Sequence, residues 1–206
     1  MQHEWKKAEK QYYLPKNKPE KLIIPKFKFF SIKGACNPNS ELFGEYIGVL
    51  YSLAYSVKMS PKSGNAPENY FEYTVYPLEG VWDITEEARK NFNGIINKDD
   101  LVFNLMIRQP DFVTPEYAIQ IIEKTKKKKP HNLLNEVKFE EIEEGDCIQM
   151  LHLGAYDDEP ASFNLMEEFA TEIGLSRKCK IHREIYLSDA RKTAPEKLKT
   201  VLRFQV

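Results

Sequence analysis

The sequence predicts an α+β fold built from two copies of a strand–helix–strand–strand unit. Three observations predict it. Short apolar runs alternate with amphipathic stretches along most of the chain. Gly34-Ala35 and Gly154-Ala155 each follow an apolar strand-like run, at an offset of 120 residues. Phe43 and Phe163 keep that offset, and each lies in a helix-patterned stretch behind a proline (Pro38, Pro160). Two such halves related by a pseudo-twofold would give an antiparallel sheet with the helices on one side and a ligand groove on the other.

The elements follow in order. Residues 1–20 are polar, lysine-rich and carry two prolines. They read as an N-terminal arm laid on the surface, too short for a helix-turn-helix module. The domain proper begins at residue 21. Its first strand is LIIPKFKFFSIKG (22–34), where Pro25 marks an edge or a bulge. Ser40 caps a helix whose apolar stripe is Phe43, Tyr46, Ile47, Leu50, Leu53, Ala54 and Val57. SPKSGNAPEN (60–69) has loop composition. FEYTVYPLEGVWDI (71–84) reads as a strand interrupted at Pro77, and residues 85–100 are polar and ambiguous. LVFNLMIRQPDFV (101–113) is a strand ending at Pro110 and closes a first half of about 22–113.

A connecting helix spans 114–130, with Thr114 as N-cap and Pro115 at its first position. Lys126 to Lys129 suit the negative end of its dipole, and read as a solvated helix end rather than a nucleic-acid patch. The second half, about 136–206, reads as VKFEEI and CIQMLHLGAY around the turn EEGD, then the helix EPASFNLMEEFATEIGL, the strand CKIHREIYLSD and a last strand KLKTVLRFQV.

Composition narrows the function. The 206 residues carry a net charge of −1, so no global field draws nucleic acid or anionic membranes. No run has the length of a membrane span, and the N-terminus lacks a signal-peptide core, so a cytoplasmic protein is expected. Cys36, Cys147 and Cys179 are odd in number and unclustered, against a disulfide framework. The four histidines show no HExxH spacing, and neither a GxSxG elbow nor a phosphate loop occurs, so no metal and no cofactor is expected. His152, between Leu151 and Leu153, reads as structural.

One short run carries the sharpest candidate. In KIHREIYLSD (180–189) the apolar Ile181, Ile185 and Leu187 alternate with His182, Glu184 and Tyr186. If the odd set packs on the helices, the even set faces the groove. There Glu184 would attract a cationic ligand or, partly desolvated, act as a general base. The plainer alternative is a solvent-facing glutamate paired with Arg183 or Lys180. Tyr51, Tyr76, Trp82, Phe103 and Met106, with His182, are the candidate ligand-binding residues, against core packing as the alternative. Tyr73 and Tyr186 are candidate hydrogen-bond donors.

Taken together, LYSLAYSVK, PLEGVW, MIRQPDFVT and HREIYLSD resemble the stand-alone GyrI-like small-molecule-binding proteins, relatives of the effector domains of multidrug-responsive transcription regulators. The resemblance covers the chain from about Leu22. KGACNP departs from it, with Cys36 near a place where a second glycine is expected. The resemblance implies a duplicated βαββ fold, a pocket for lipophilic, often cationic, aromatic molecules, and Glu184 as the pocket carboxylate. It also implies three functions. The first is cofactor-independent hydrolysis, in which water opens the strained cyclopropane of an electrophile, with Glu184 as base. The second is a binding module that sequesters or senses drugs. The third is a gyrase-inhibitor-like contact with a protein partner. No direct nucleic-acid or membrane partner is expected.

Overall fold

The computed structural model describes residues 2–206. In chain order the elements are α1 (Trp5–Ala8), α2 (Lys10–Tyr13), β1 (Glu20–Ile24), β2 (Phe27–Ala35), α3 (Glu41–Lys58), β3 (Leu78–Ile84), α4 (Glu86–Lys90), β4 (Leu101–Gln109), α5 (Pro115–Lys128), β5 (Lys138–Ile142), β6 (Gly145–Leu153), α6 (Glu159–Glu172), β7 (His182–Tyr186) and β8 (Lys199–Gln205). The duplicated unit is β2-α3-β3-β4, then β6-α6-β7-β8. The chain folds as two compact units. One holds residues 2–3, Phe27–Leu78 and Trp82–Ile142; the other holds Glu4–Lys26, Glu79–Val81 and Glu143–Val206.

In the first unit β2 is central. It pairs antiparallel with β4, from Lys28↔Gln109 to Ala35↔Val102, and with β5, from Phe27↔Ile142 to Ser31↔Lys138. α3 packs on β2 and β4 and is flanked by α5. It starts where the Ser40 hydroxyl accepts the Phe43 N–H, and it buries Val49, Leu50, Leu53, Ala54 and Val57. α5 starts in the same way, with Thr114 Oγ1 accepting the Tyr117 N–H. The ambiguous stretch 85–100 forms a short helix, capped by Thr85 onto Ala88 N–H, then a loop and a 3₁₀ turn at Lys98–Asp100.

In the second unit β6 pairs with β1 and β8, and β8 pairs with β7, all antiparallel. α6 lies on β6, over a core of Ile148, Met150, Met166, Ala170, Leu202 and Phe204.

Three boundaries differ from the sequence reading. The run 22–34 is two strands, because Pro25 has no N–H to donate. β1 goes to the second unit and β2 to the first. Residues 71–77 are not a strand: the ladder begins only after Pro77, and the segment before it makes one isolated bridge, Tyr73 with His3. The connecting helix and β5 belong to the first unit, which therefore ends at Ile142.

The N-terminal segment is more than an arm on the surface. Trp5 and Tyr13 are buried against each other, their rings 5.2 Å apart. Buried side chains from the sheet reach its backbone. Gln149 Nε2 donates to Gln11 O at 2.6 Å, and Arg203 Nη2 donates to Tyr12 O at 2.7 Å. The same sheet face holds a charge network. Arg183 donates to Glu79 at 2.8 Å and to Glu144 at 2.9 Å, and Arg203 donates to Glu144 at 3.2 Å. Both arginines are 3% exposed. Glu144 is held below the usual carboxylate range by Arg183 and Arg203, against the opposing effect of its burial.

Candidate functional site

The site is assembled on β7 and the start of α6. Cross-strand partners in an antiparallel pair share a face. Glu184 pairs with Leu202, and Leu202 lies in the core under α6. Arg183 pairs with Arg203 on the opposite face, with the charge network. His182, Glu184 and Tyr186 therefore face the helix. This corrects the expectation that Ile181, Ile185 and Leu187 would face the helices. Alternation separates the two sets correctly, but both faces of β7 are covered, so hydrophobicity no longer says which face meets the helix. Ile185 is fully buried on the network side.

Against α6, Glu184 is 8% exposed and meets Glu159, which is 6% exposed. The two carboxyl groups share a hydrogen bond. Burial first, then the charge of Glu184 and that hydrogen bond, push the Glu159 pKa well above the usual carboxylate range. His182 Nε2 lies 3.1 Å from Glu184 Oε1, and His182 Nδ1 lies 3.3 Å from Lys180 O. Phe163, on α6, meets the His182 ring edge-on at 4.6 Å. Tyr156 and Tyr186 stand edge-to-face, 6.0 Å apart. Burial, with the nearby charges of Glu184, Glu159 and Asp189, raises the Tyr156 hydroxyl to about 12.

α6 is held over the strands by a second polar contact. Ala155 O takes the Nε2 proton of His152 at 3.0 Å, which leaves Nδ1 to accept the Ser162 hydroxyl at 2.9 Å. The turn before it needs Gly154, whose φ is +134°. His152 is thus structural, as read from the sequence.

The fold has known relatives. The family model of the GyrI-like small molecule binding domain matches residues 17–206. The chain belongs to the GyrI-like family. A hydrolase from Listeria innocua is similar at 35% identity and a TM-score of 0.88, with 98% of each chain covered. A second L. innocua hydrolase structure is similar at 36% identity and a TM-score of 0.89, covering 99% of this chain and 98% of that one. The C-terminal domain of EcmrR shares the fold at 11% identity, with a TM-score of 0.54 over 91% of this chain and 96% of that one. No curated protein matches.

In this GyrI-like chain the other candidate residues lie in the first unit, and most are core. Phe103 is 4% exposed, with Phe43 at 5.3 Å and Tyr46 at 5.2 Å, both edge-on. Trp82 is buried beside Phe43 and Phe103. Met106 is fully buried and, by strand alternation, on the opposite face of β4 from Phe103. Tyr76 is buried under the Arg108 guanidinium, 4.7 Å from its ring. Tyr51 is half-buried on α3, its ring 6.3 Å from Tyr55. Tyr73 is 1% exposed, and its hydroxyl donates to Ala54 O at 3.5 Å. Burial lifts its pKa far above the usual tyrosine value. These side chains do not line one groove face: Phe103 and Met106 point to opposite sides, and the Tyr73 hydroxyl is used inside the core.

Sequence reasoning missed Glu159 and Tyr156. A glutamate opening a helix is normally read as a partner for the helix dipole. The usable signal was the spacing of the three aromatic or acidic residues Tyr156, Glu159 and Phe163, at i, i+3 and i+7, on the stretch that precedes HREIY. Among the described residues no helix is long and apolar enough to cross a membrane.

Proposed function

We propose that the protein is a small-molecule hydrolase that adds water across the strained cyclopropane of a lipophilic aromatic electrophile, with Glu184 as general base. One observation carries this reading: two carboxyl groups, Glu159 and Glu184, are buried side by side at the junction of α6 and β7, and their proximity and burial raise the Glu159 pKa. The hydrolases from L. innocua, similar over nearly the whole chain, support it.

The chemistry balances without a co-reactant. Glu184 takes a proton from water as the oxygen bonds to the cyclopropane methylene carbon. The ring C–C bond breaks, and its electron pair moves through the conjugated ring to the dienone oxygen. The resulting phenolate is protonated, Glu184 returns its proton to solvent, and the product has gained one water. Tyr186, beside Tyr156, replaces Tyr73 as the hydrogen-bond donor to the developing phenolate, because the Tyr73 hydroxyl is committed to Ala54 O.

The test is incubation with a cyclopropane-bearing dienone of the duocarmycin type, following its chromophore and product mass. Addition of one water, slowed about 10²–10⁴-fold in Glu184→Gln with binding retained, is the expected result. Normal turnover by that variant sinks the base assignment. The family's description favours a second reading, binding without chemistry. Saturable binding with no mass change, and loss of affinity in Glu184→Gln for cationic but not neutral ligands, would establish that reading instead.

A further inference from the structure

Three side chains that carry metal-ligand atoms converge beside α6. One oxygen each from Glu159 and Glu184 and a ring nitrogen of His182 lie within 4.8 Å of one another. The His182 ring is turned so that Nδ1 faces a backbone carbonyl, Lys180 O, at 3.3 Å. A proton on Nδ1 is used there, and Nε2 then presents a lone pair to Glu184 Oε1 at 3.1 Å. Metal-bound histidines are oriented in this way, the distal N–H on a backbone carbonyl and the other nitrogen on the ion. Glu159 adds an independent sign. Its Oε1 is buried and has no hydrogen-bond donor among the described residues, in a side chain 94% removed from solvent (6% exposed). A buried acceptor without a donor costs about 1–3 kcal/mol unless a cation or proton meets it.

The donor set decides between ions. Zinc binds imidazole and carboxylate donors at about 2.0–2.2 Å, which places neighbouring corners of its tetrahedron about 3.3–3.6 Å apart. The 3.1 Å between His182 and Glu184 is close to that edge, and the Glu159 oxygen, within 4.8 Å of both, reaches it by a side-chain adjustment. Mg²⁺ and Ca²⁺ take oxygen ligands and would not use the imidazole.

We infer that Glu159, His182 and Glu184 form a three-donor site for a divalent first-row transition ion, Zn²⁺ by its donor set. Tyr156, whose hydroxyl senses the charges of Glu184 and Glu159, stands beside Tyr186 next to these donors and is 36% exposed. The site goes beyond the proposed hydrolysis and competes with it, because the ion and the attacking water draw on the same Glu184 oxygens.

The experiment is calorimetric titration of chelator-treated protein with ZnCl₂, and absorption spectroscopy with CoCl₂, both without substrate. The expected result is one Zn²⁺ per chain with a dissociation constant of roughly 10 µM or tighter, and the visible bands of four-coordinate Co²⁺. Glu159→Gln, His182→Asn and Glu184→Gln should each weaken binding at least about 10-fold. Glu123→Gln, on an exposed helix face, should leave it unchanged. Excess Mg²⁺ should not displace Zn²⁺. No saturation below about 1 mM overturns the inference. So does equal affinity in all three site variants, which would put the ion elsewhere. The two readings fail separately: metal binding is read without substrate, and hydrolysis is read in chelator. Turnover that persists in chelator and falls as Zn²⁺ is restored supports both.

Discussion

The two copies of the unit solve the same packing problem with opposite chemistry. In the first, Phe43 on α3 lies over Trp82 and Phe103, and Tyr46 completes an aromatic stack. In the second, Phe163 at the matching position of α6 lies over His182, next to the Glu159–Glu184 pair. The aromatic copy gains from burial, whereas the polar copy bears the cost of desolvated carboxyl groups. One helix–strand junction of the duplicated frame is thus aromatic and the other polar and acidic.

The largest effect that would break this contrast is in the aromatic copy. Phe103→Ala should lower stability by about 3–5 kcal/mol, read from the denaturant midpoint. A loss under 1 kcal/mol would mean that the stack is not the first unit's anchor. Next, Glu144→Gln should cost about 3 kcal/mol, since it leaves Arg183 and Arg203 short of a buried counter-charge. Its pH dependence has a definite sign. Glu144 has a depressed folded pKa, so it stabilises the fold above the unfolded carboxylate value and ceases to do so as pH falls through the folded one. Acid melts of wild type and variant should therefore converge.

The two matching glycines give a smaller effect. A Cβ at Gly34 would sit 2.5 Å from the Phe103 ring and 2.8 Å from Tyr46. Gly34→Ala should cost about 1–3 kcal/mol through overpacking. A neutral Gly34→Ala would show that the ring has room to move. Gly154 meets nothing closer than 3.7 Å, and its constraint is its φ of +134°. Smallest, and opposite in sign, is Glu159→Gln. The raised pKa of Glu159 means that its contribution is complete below the unfolded value and is lost as pH climbs through the raised folded one. Gln has no such loss, so the variant should be more stable than wild type by about 1–2 kcal/mol near pH 8, and equal to it near pH 4. A variant less stable at pH 8 would place the cost elsewhere.

The duplicated frame was legible in the sequence because periodicity, caps and the Gly-Ala and Phe spacings are local signals. The Ser40 and Thr114 caps stand where they were read. The faces of β7 were not legible: Arg183 and Ile185 are as buried as Glu184, and a strand covered on both sides has no wet side to betray its direction. Glu159 lies 25 residues before Glu184 and looks like an ordinary helix-opening acid. Only the fold of α6 onto β7 makes the pair. The aromatic residues were found, but their burial in the first unit follows from packing that composition does not encode.

The N-terminal segment is fastened through its own carbonyl oxygens, at Gln11, Tyr12 and Lys16. Carbonyls do not depend on the side chain that carries them. At those three positions the backbone contact is therefore the same whichever side chain is present. A chain trimmed to the matched family region, residues 17–206, would lose the Gln11 and Tyr12 acceptors and leave two buried donors, on Gln149 and Arg203, facing water that the folded sheet was built to exclude.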